Sequence, residues 1–312
     1  MPGRDLAVVF NPAAGRGRAV SAVRALRGMH PASDRAKWVA TERPGHGSDL
    51  AETLATTSFA IEGASAVVAC GGDGTVHEVL NGLMRVPEGR RPPLGVIPLG
   101  SGNDFAWACA CAMDPGTALE RLLDGGYEAR IDVGEVEDDK GRRAFFGNSA
   151  GMLLDGAINA ESRRIRWPGG FPRYLLAALR GIARSSEPWR VRLAFDGDAT
   201  PERALTMLTV GNGAREGGGF HVLPRARNDD GFLDAVTVAA MPRVGMLRLL
   251  PRVMKGRHLL DGRVWTRRFR SLVVESDRAI PIHLDGELWA PDEADVRRLA
   301  FKIHPGAIRV LR

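Results

Sequence analysis

Gly71-Gly72-Asp73-Gly74-Thr75 sets one carboxylate among three glycines directly after the apolar run "SAVVAC" (65–70). A bare turn needs one glycine for its positive φ, so the others imply that something approaches the main chain closely. Two similar corners follow other apolar runs: "FNPAAGRG" (10–17), and "PLGSGNDFA" (98–106), which carries a second carboxylate, Asp104. N–H groups at glycine turns and helix starts favour an anion, and the expected anion is a chain of phosphates. Farther along, Asp285-Gly286-Glu287 brackets a glycine with two carboxylates; taken alone it reads as a hairpin turn. Asp230-Gly231, taken alone, reads as a turn whose aspartate bonds its own backbone.

The elements that must position these residues are legible in outline. "LAVVF" (6–10) precedes Val20, Val23 and Leu26 at helical spacing, and "AKWVAT" (36–41) precedes a helix with Asp49 and Glu52 in its first turn. "SAVVAC" leads into Val76, Val79, Leu80 and Leu83 on one helix face. After "LGVIP" (94–98) and a further helical stretch, Asp114-Pro115 reads as N-cap and first helical residue ahead of Leu119, Leu122 and Leu123. Strand and helix in alternation predict a parallel sheet covered on both faces, with every strand's C-terminal end on the same edge. That edge gathers the three glycine corners without a further assumption. Neither G-x-x-x-x-G-K-[ST] nor a G-x-G-x-x-G after a strand occurs, and all four lysines lie outside the loops.

From about residue 130 the pattern shortens and alternates by two, as in Trp189, Val191, Leu193 and Phe195, which predicts an antiparallel β domain. Two helical insertions are expected in it, near 171–184 and 242–256.

Composition narrows the function classes. A chain of 312 residues, 44% hydrophobic and 26% charged, fits a globular protein of two domains. No apolar run approaches the ~18 residues of a membrane span, and "MPGRDLAVVF" lacks the apolar core of a signal peptide, so a cytoplasmic location is the default. Cys70, Cys109 and Cys111 make no disulfide framework, and with no second pair at zinc-ligand spacing Cys109 and Cys111 read as small apolar helix residues. The net charge of +6, almost wholly arginine, suits an anionic partner. With 6% aromatic residues and no nucleic-acid motif, nucleic acid is not the expected one.

Asn11-Pro12-Ala13-Ala14-Gly15-Arg16, the Gly71 to Thr75 corner and the Pro98 to Ala106 loop together resemble the signature loops of the diacylglycerol kinase catalytic-domain family, which includes bacterial soluble lipid kinases and sphingosine and ceramide kinases. "NGAREGGGFHVLPRARNDDGFLD" (212–234) and "HLDGE" (283–287) resemble that family's later glycine-rich stretch and Asp-Gly-Glu, so the resemblance covers nearly the whole chain. The resemblance implies a phosphofructokinase-like (Rossmann-like) parallel α/β domain over residues 1–128, followed by an antiparallel β-sandwich domain over 129–312. It implies ATP as phosphate donor, with Mg²⁺, and a lipid alcohol as acceptor: diacylglycerol first, then ceramide, a sphingoid base or phosphatidylglycerol.

By position, the resemblance implies a nucleotide lined by Asn11, Pro12, Ala13, Ala14, Gly15, Arg16, Thr41, Gly71, Gly72, Asp73, Gly74, Thr75, Val76, His77, Ser101 and Asn103. Arg16 would meet a phosphate; Ser101 stands where the family usually has Thr and keeps the hydroxyl. Phosphoryl transfer is mostly positioning and charge neutralisation, with a carboxylate taking the nucleophile's proton. By analogy Glu287 is the base, with Asp285 the competing choice, and Asp73 and Asp104 hold Mg²⁺ through water. A structural Mg²⁺ would sit on Asp230 and the backbone of Arg227 and Phe232.

A bilayer acceptor requires a protein that reaches the membrane surface. "RRIRWPGGFPRYLLAALRGIAR" (163–184) and "MPRVGMLRLLPRVMKGRHLL" (241–260) mix arginine with large apolar residues, the composition of an interfacial helix on anionic lipid; a core-facing helix with a basic outer side is the plainer alternative. Oligomeric state is left open, a homodimer included. The competing functions are an NAD kinase, which shares the Gly-Gly-Asp-Gly corner, and a lipid- or nucleotide-binding protein without catalysis.

Overall fold

The structure, a computed structural model, describes residues 4–29, 34–57, 65–165, 167, 170–185, 187–291 and 294–312. Two compact units are present: 1–131 with 306–312, and 132–305.

The first unit follows the predicted alternation: β1 Leu6–Phe10, α1 Ala19–Met29, β2 Ala36–Ala40, α2 His46–Thr57, β3 Ala66–Gly71, α3 Asp73–Arg85, β4 Leu94–Pro98, α4 Asp104–Ala108 and α5 Pro115–Leu123. The strands run parallel in the order β2-β1-β3-β4, with Leu6 opposite Ala36 and Ala66, and Val67 opposite Leu94. Every residue of β3 and β4 is buried, which is why both read as unbroken apolar runs rather than alternating ones. Leu6, Val8, Val68 and Ile97 pack against Val23, Leu26, Leu119 and Leu122 of the covering helices. Helix α5 starts as its sequence requires: the Asp114 side chain accepts the Thr117 N–H at 2.9 Å, and Pro115 takes the first helical position, where a missing N–H costs nothing. Helix α2 is capped from outside, by Glu78 of α3, whose carboxylate accepts the Gly45 and Gly47 N–H groups at 2.8 Å each. Cys70, Cys109 and Cys111 are buried free thiols, and burial pushes Cys70 and Cys111 up to about 12, well outside the reactive range.

The strand β5 Glu128–Asp138 carries the chain into the second unit, which continues with β6 Arg143–Phe146, β7 Ser149–Leu153, α6 Leu154–Arg164, α7 Phe171–Arg184, β8 Trp189–Phe195, β9 Asp198–Ala199, β10 Arg203–Gly211, β11 Leu233–Ala239, α8 Arg243–Met254, β12 Val264–Phe269, β13 Ser271–Ser276, β14 Ile282–Leu284 and β15 Glu287–Ala290. Its ladders are antiparallel, β14-β7-β10-β8-β13 with β15 beside β14, and β10-β11-β12 as a second branch. Phe146, Met152, Leu193, Leu208, Phe269 and Leu272 form one core; Phe220, Leu249 and Val264 form a second under α7 and α8. The last strand, β16 Arg298–Leu311, joins what the sequence pattern reads as two runs; it pairs with β13 at its start, and Val310 lies parallel beside Leu94 of β4 at its end.

Among the described residues the second unit holds three α-helices where the sequence predicts two. Helix α6 escapes an apolar-periodicity search because the face it buries is Leu154, Gly156, Asn159, Glu161 and Ser162, mostly polar or small. Strand β7 escapes because it is buried at all five positions and contains Gly151.

Candidate active site

Hydrogen bonds between neighbouring corners lock the C-terminal edge of the parallel sheet together. Thr41 N–H donates to Phe10 O at 2.9 Å, Asn11 N–H to Cys70 O at 3.4 Å and Leu99 N–H to Gly71 O at 2.8 Å, so the exits of all four strands are tied in a row. Within the first loop the Asn11 side chain accepts the Ala13 N–H at 2.9 Å, Ala14 N–H donates to Asn11 O, and Gly15 turns at φ +59°. The Arg16 side chain lies outside the described residues. The glycines have a close-approach reason inside the protein: a Cβ on Gly100 would stand 2.5 Å from Gly72 Cα, and a Cβ on Gly71 would collide with the Thr75 side chain. Two corners therefore meet main chain to main chain, an approach that a side chain at position 100 would block.

Asp73 joins the same two corners. From the first turn of α3 its Oδ1 accepts the Phe105 N–H of α4 at 3.1 Å, and Asp104 beside it is buried. Asn103 adopts the left-handed conformation at φ 53° and grips the Gly100 peptide from both sides, accepting its N–H and donating to its carbonyl at 3.0 Å each. The Thr75 and Val76 N–H groups donate to Gly72 O, so they serve the helix, and the His77 carbonyl accepts from Asn81. Ser101 is exposed, and the Thr41 N–H is taken by the sheet.

A cavity of about 220 Å³ lined by Glu88, Gly89, Arg91, Arg130, Ala307 and Arg309 lies on the first unit, but Glu88, Gly89 and Arg91 precede β4, Arg130 lies on β5, and Ala307 and Arg309 follow the turn at Gly306. It is away from the loops, and Arg91 gives its donors to carbonyls of Leu83, Val86 and Ala307.

In the second unit Asp285-Gly286 forms the two-residue turn between β14 and β15, with φ of 51° and 84°, the pattern of a type I′ hairpin. Asp285 accepts three backbone N–H groups, from Gly147 at 3.1 Å, Asn148 at 2.8 Å and Ser149 at 3.0 Å. Its oxygens are thereby committed to shaping the turn. Glu287 is different: its side chain is 48% exposed and ion-pairs with Arg163 of α6.

Behind the hairpin lies a cluster that the sequence reading did not single out. Asp155, Glu216 and His283 bring ligand-type atoms within 4.8 Å of one another, Thr209 donates to Asp155 at 2.7 Å, and Asn159 donates to Gly286 O at 2.7 Å. Burial opposes a charge on His283, but the Asp155 carboxylate 3.7 Å from its Nε2 and the charges of Glu216 and Asp285 outweigh it and raise its pKa above the ordinary value. The available signals were slight: one histidine inside "HLDGE" and one Asp-Gly after an apolar run.

Asp230 sits as the plain turn requires, accepting the Phe232 N–H at 3.1 Å, and its other oxygen pairs with Arg268. Next to it Asp234 is buried with one oxygen lacking a hydrogen-bond partner, and burial, with the Asp230 charge adding to it, raises its pKa against the pull of Arg268. Arg227 pairs with Asp229, and the Phe232 ring lies under Arg268.

Two family models divide the chain: "Diacylglycerol kinase catalytic domain" over residues 5–136 and "YegS C-terminal NAD kinase beta sandwich-like domain" over 148–312. A diacylglycerol kinase of Mycobacterium tuberculosis is 34% identical over 305 residues, covering 97% of this chain and 93% of that one. A crystal structure of a Bacillus anthracis protein described as a putative diacylglycerol kinase superposes with a TM-score of 0.77 at 20% identity, covering 100% of this chain and 96% of the other. An NAD kinase of Archaeoglobus fulgidus, solved in complex with ATP, superposes at 0.53 with 13% identity over 98% and 93%. At these identities the two structures show the fold: a parallel α/β unit followed by a β-sandwich.

Proposed function

The chain belongs to the diacylglycerol kinase catalytic-domain family, and from that premise we propose that it is an ATP- and Mg²⁺-dependent lipid kinase acting on the primary hydroxyl of a lipid alcohol, diacylglycerol first and ceramide next. The observation that carries the reading is the row of cross-linked glycine corners with Asp73 and Asp104 at their helix starts. Carboxylate oxygens beside phosphate-type loops are the hard donors Mg²⁺ takes, sparingly and with water. Mg²⁺, when bound, would neutralise phosphate charge, and Asp73 and Asp104 are the residues that would hold it.

The remaining roles follow from the side chains. Asn11 to Gly15, the Gly71 to His77 corner, Thr41, Ser101 and Asn103 position the nucleotide, with Arg16 meeting a phosphate. Glu287, exposed and at the start of β15, accepts the proton of the acceptor hydroxyl as that oxygen bonds to the terminal phosphorus and the bond to ADP breaks. Asp285, held by three N–H groups, shapes the turn that presents it. Labelled ATP incubated with the protein and a total lipid extract is expected to label a phosphorylated lipid alcohol. ATP consumption indifferent to lipid would end the reading, and NADP formed from added NAD would replace it with an NAD kinase.

The acceptor places the protein at a membrane surface, at its inner face. Among the described residues no helix is long and apolar enough to cross a membrane. Helices α7 and α8 pack together and leave Leu179, Val244 and Leu247 exposed among arginines, while Trp167 is 80% and Leu260 85% exposed. This is the composition of a surface that docks on anionic lipid. Sedimentation with anionic vesicles should be strong and fall with salt, and equal binding to neutral vesicles would count against it.

Asp230, with the carbonyls of Arg227 and Phe232, is proposed to hold a structural Mg²⁺, supported by the buried, partly unpartnered Asp234 beside it. Metal analysis of the parent should find an ion that the Asp230→Ala protein lacks; equal metal content leaves only the turn.

A further inference from the structure

We propose that His283 is a positioning residue for the hairpin that carries Glu287, holding the turn only while its Nδ1 is unprotonated. The kinetic consequence rests on the lipid-kinase reading; the contact itself does not.

The Gly286 peptide, next to Glu287, is gripped at both ends. Its N–H donates to His283 Nδ1 at 3.3 Å, and its carbonyl accepts from Asn159 Nδ2 at 2.7 Å. An imidazole that accepts at Nδ1 carries its proton on Nε2. That nitrogen faces Asp155 Oδ1 at 3.7 Å, and Thr209 orients Asp155 by donating to its other oxygen. The arrangement fits only because residue 151 is glycine: a Cβ there would collide with both His283 Nε2 and the Asp155 carboxylate. The His283 side chain is 4% exposed, so water cannot replace either contact.

A second proton on the ring turns Nδ1 from an acceptor into a donor facing another donor, the Gly286 N–H. The contact that fixes the turn then becomes a repulsion, while the pairing with Asp155 strengthens. The surroundings favour that protonation. Asp155 reaches the ring from α6, Glu216 from the loop after β10 and Asp285 from the hairpin itself, and together they outweigh burial. On the outer side of the hairpin Arg163 pairs with Glu287.

The sign follows. With a folded pKa raised above 6.5, the charged imidazole contributes stability fully below about pH 6.5, and that contribution is lost as pH rises through the folded pKa. Positioning of Glu287 runs the other way, improving over the same rise. The contribution of His283 to stability is thus greatest where the turn is least well held.

The test compares the parent with His283→Asn, whose amide oxygen can stand near the Nδ1 position and accept the Gly286 N–H without titrating, and with His283→Leu, which accepts nothing. The parent's kcat should fall on the acid side below a pKa above 6.5, with KM for ATP unchanged. His283→Asn should lose that acid limb while keeping kcat within about threefold of the parent's plateau, and His283→Leu should lose about tenfold at all pH values. An acid limb unchanged in His283→Asn overturns the proposal. Folding of each variant is read from its thermal melt, and a measurement independent of catalysis is the Gly286 amide signal in an NMR titration of the parent. It should move with the His283 imidazole; a Gly286 amide that ignores the imidazole also overturns the proposal. If no lipid is phosphorylated but the two titrate together, the kinase reading fails and the His283 contact stands.

Discussion

A folded Glu287→Gln protein is expected to turn over at least about a hundredfold more slowly than its parent, with KM for ATP little changed, because a positioned general base contributes about 10² to 10⁴ in rate. Glutamine keeps the length of the side chain and a hydrogen bond toward Arg163, but it cannot take a proton from a hydroxyl. The fold should hardly register the change. Glu287 is about half exposed, and a surface ion pair of this kind contributes about 0 to 1 kcal/mol. Glu287→Ala should therefore give the same loss of turnover with a similar melt. Asp285→Asn is the informative contrast: one amide oxygen cannot replace two carboxylate oxygens that accept three backbone N–H groups, so that protein should lose stability as well as rate. Near-normal kinetics in folded Glu287→Gln would remove Glu287 from the chemistry.

Asp73 is expected to give the second large effect, and it has two functions to separate. Its carboxylate tethers the Phe105 N–H at 3.1 Å, and under the proposed mechanism it also holds Mg²⁺ through water. Asp73→Asn retains an oxygen for Phe105 and loses the charge; Asp73→Ala loses both. Both proteins should lose at least about a hundredfold in turnover, since neutralising phosphate charge is most of what such a site supplies. Only Asp73→Ala should also melt earlier, by the cost of a hydrogen bond to a charged group, about 1.5 to 3 kcal/mol. Parental turnover in Asp73→Asn would reduce Asp73 to a tie between two corners.

Local chemistry made much of this protein legible in its sequence. Strands β1, β3 and β4 are continuous apolar runs, the covering helices show their buried faces at 3.6-residue spacing, and Asp114-Pro115 marks a helix start by side-chain bonding within three residues. Parallel pairing then places the corners after β1, β3 and β4 on one edge by topology alone. The resemblance named the family on those same corners and on the late Asp-Gly-Glu, and the family and its two-part fold are the ones found.

What the sequence hid depends on contacts between distant segments. The glycines at 72 and 100 look like openings for a ligand, yet their first requirement is each other. Helix α6 buries a polar face because Asn159 finds a partner in the turn between β14 and β15, and Asp155 finds partners on β10 and β14, so no apolar stripe announced it. Asp285 and Glu287, alike and two residues apart, part company only in three dimensions: one is consumed by three N–H groups from residues 147–149, the other is left exposed. Periodicity and turn chemistry are set by neighbours in the chain, so the sequence carries them. Whether a carboxylate is committed or available is set by what the fold brings against it, and that only the tertiary structure decided.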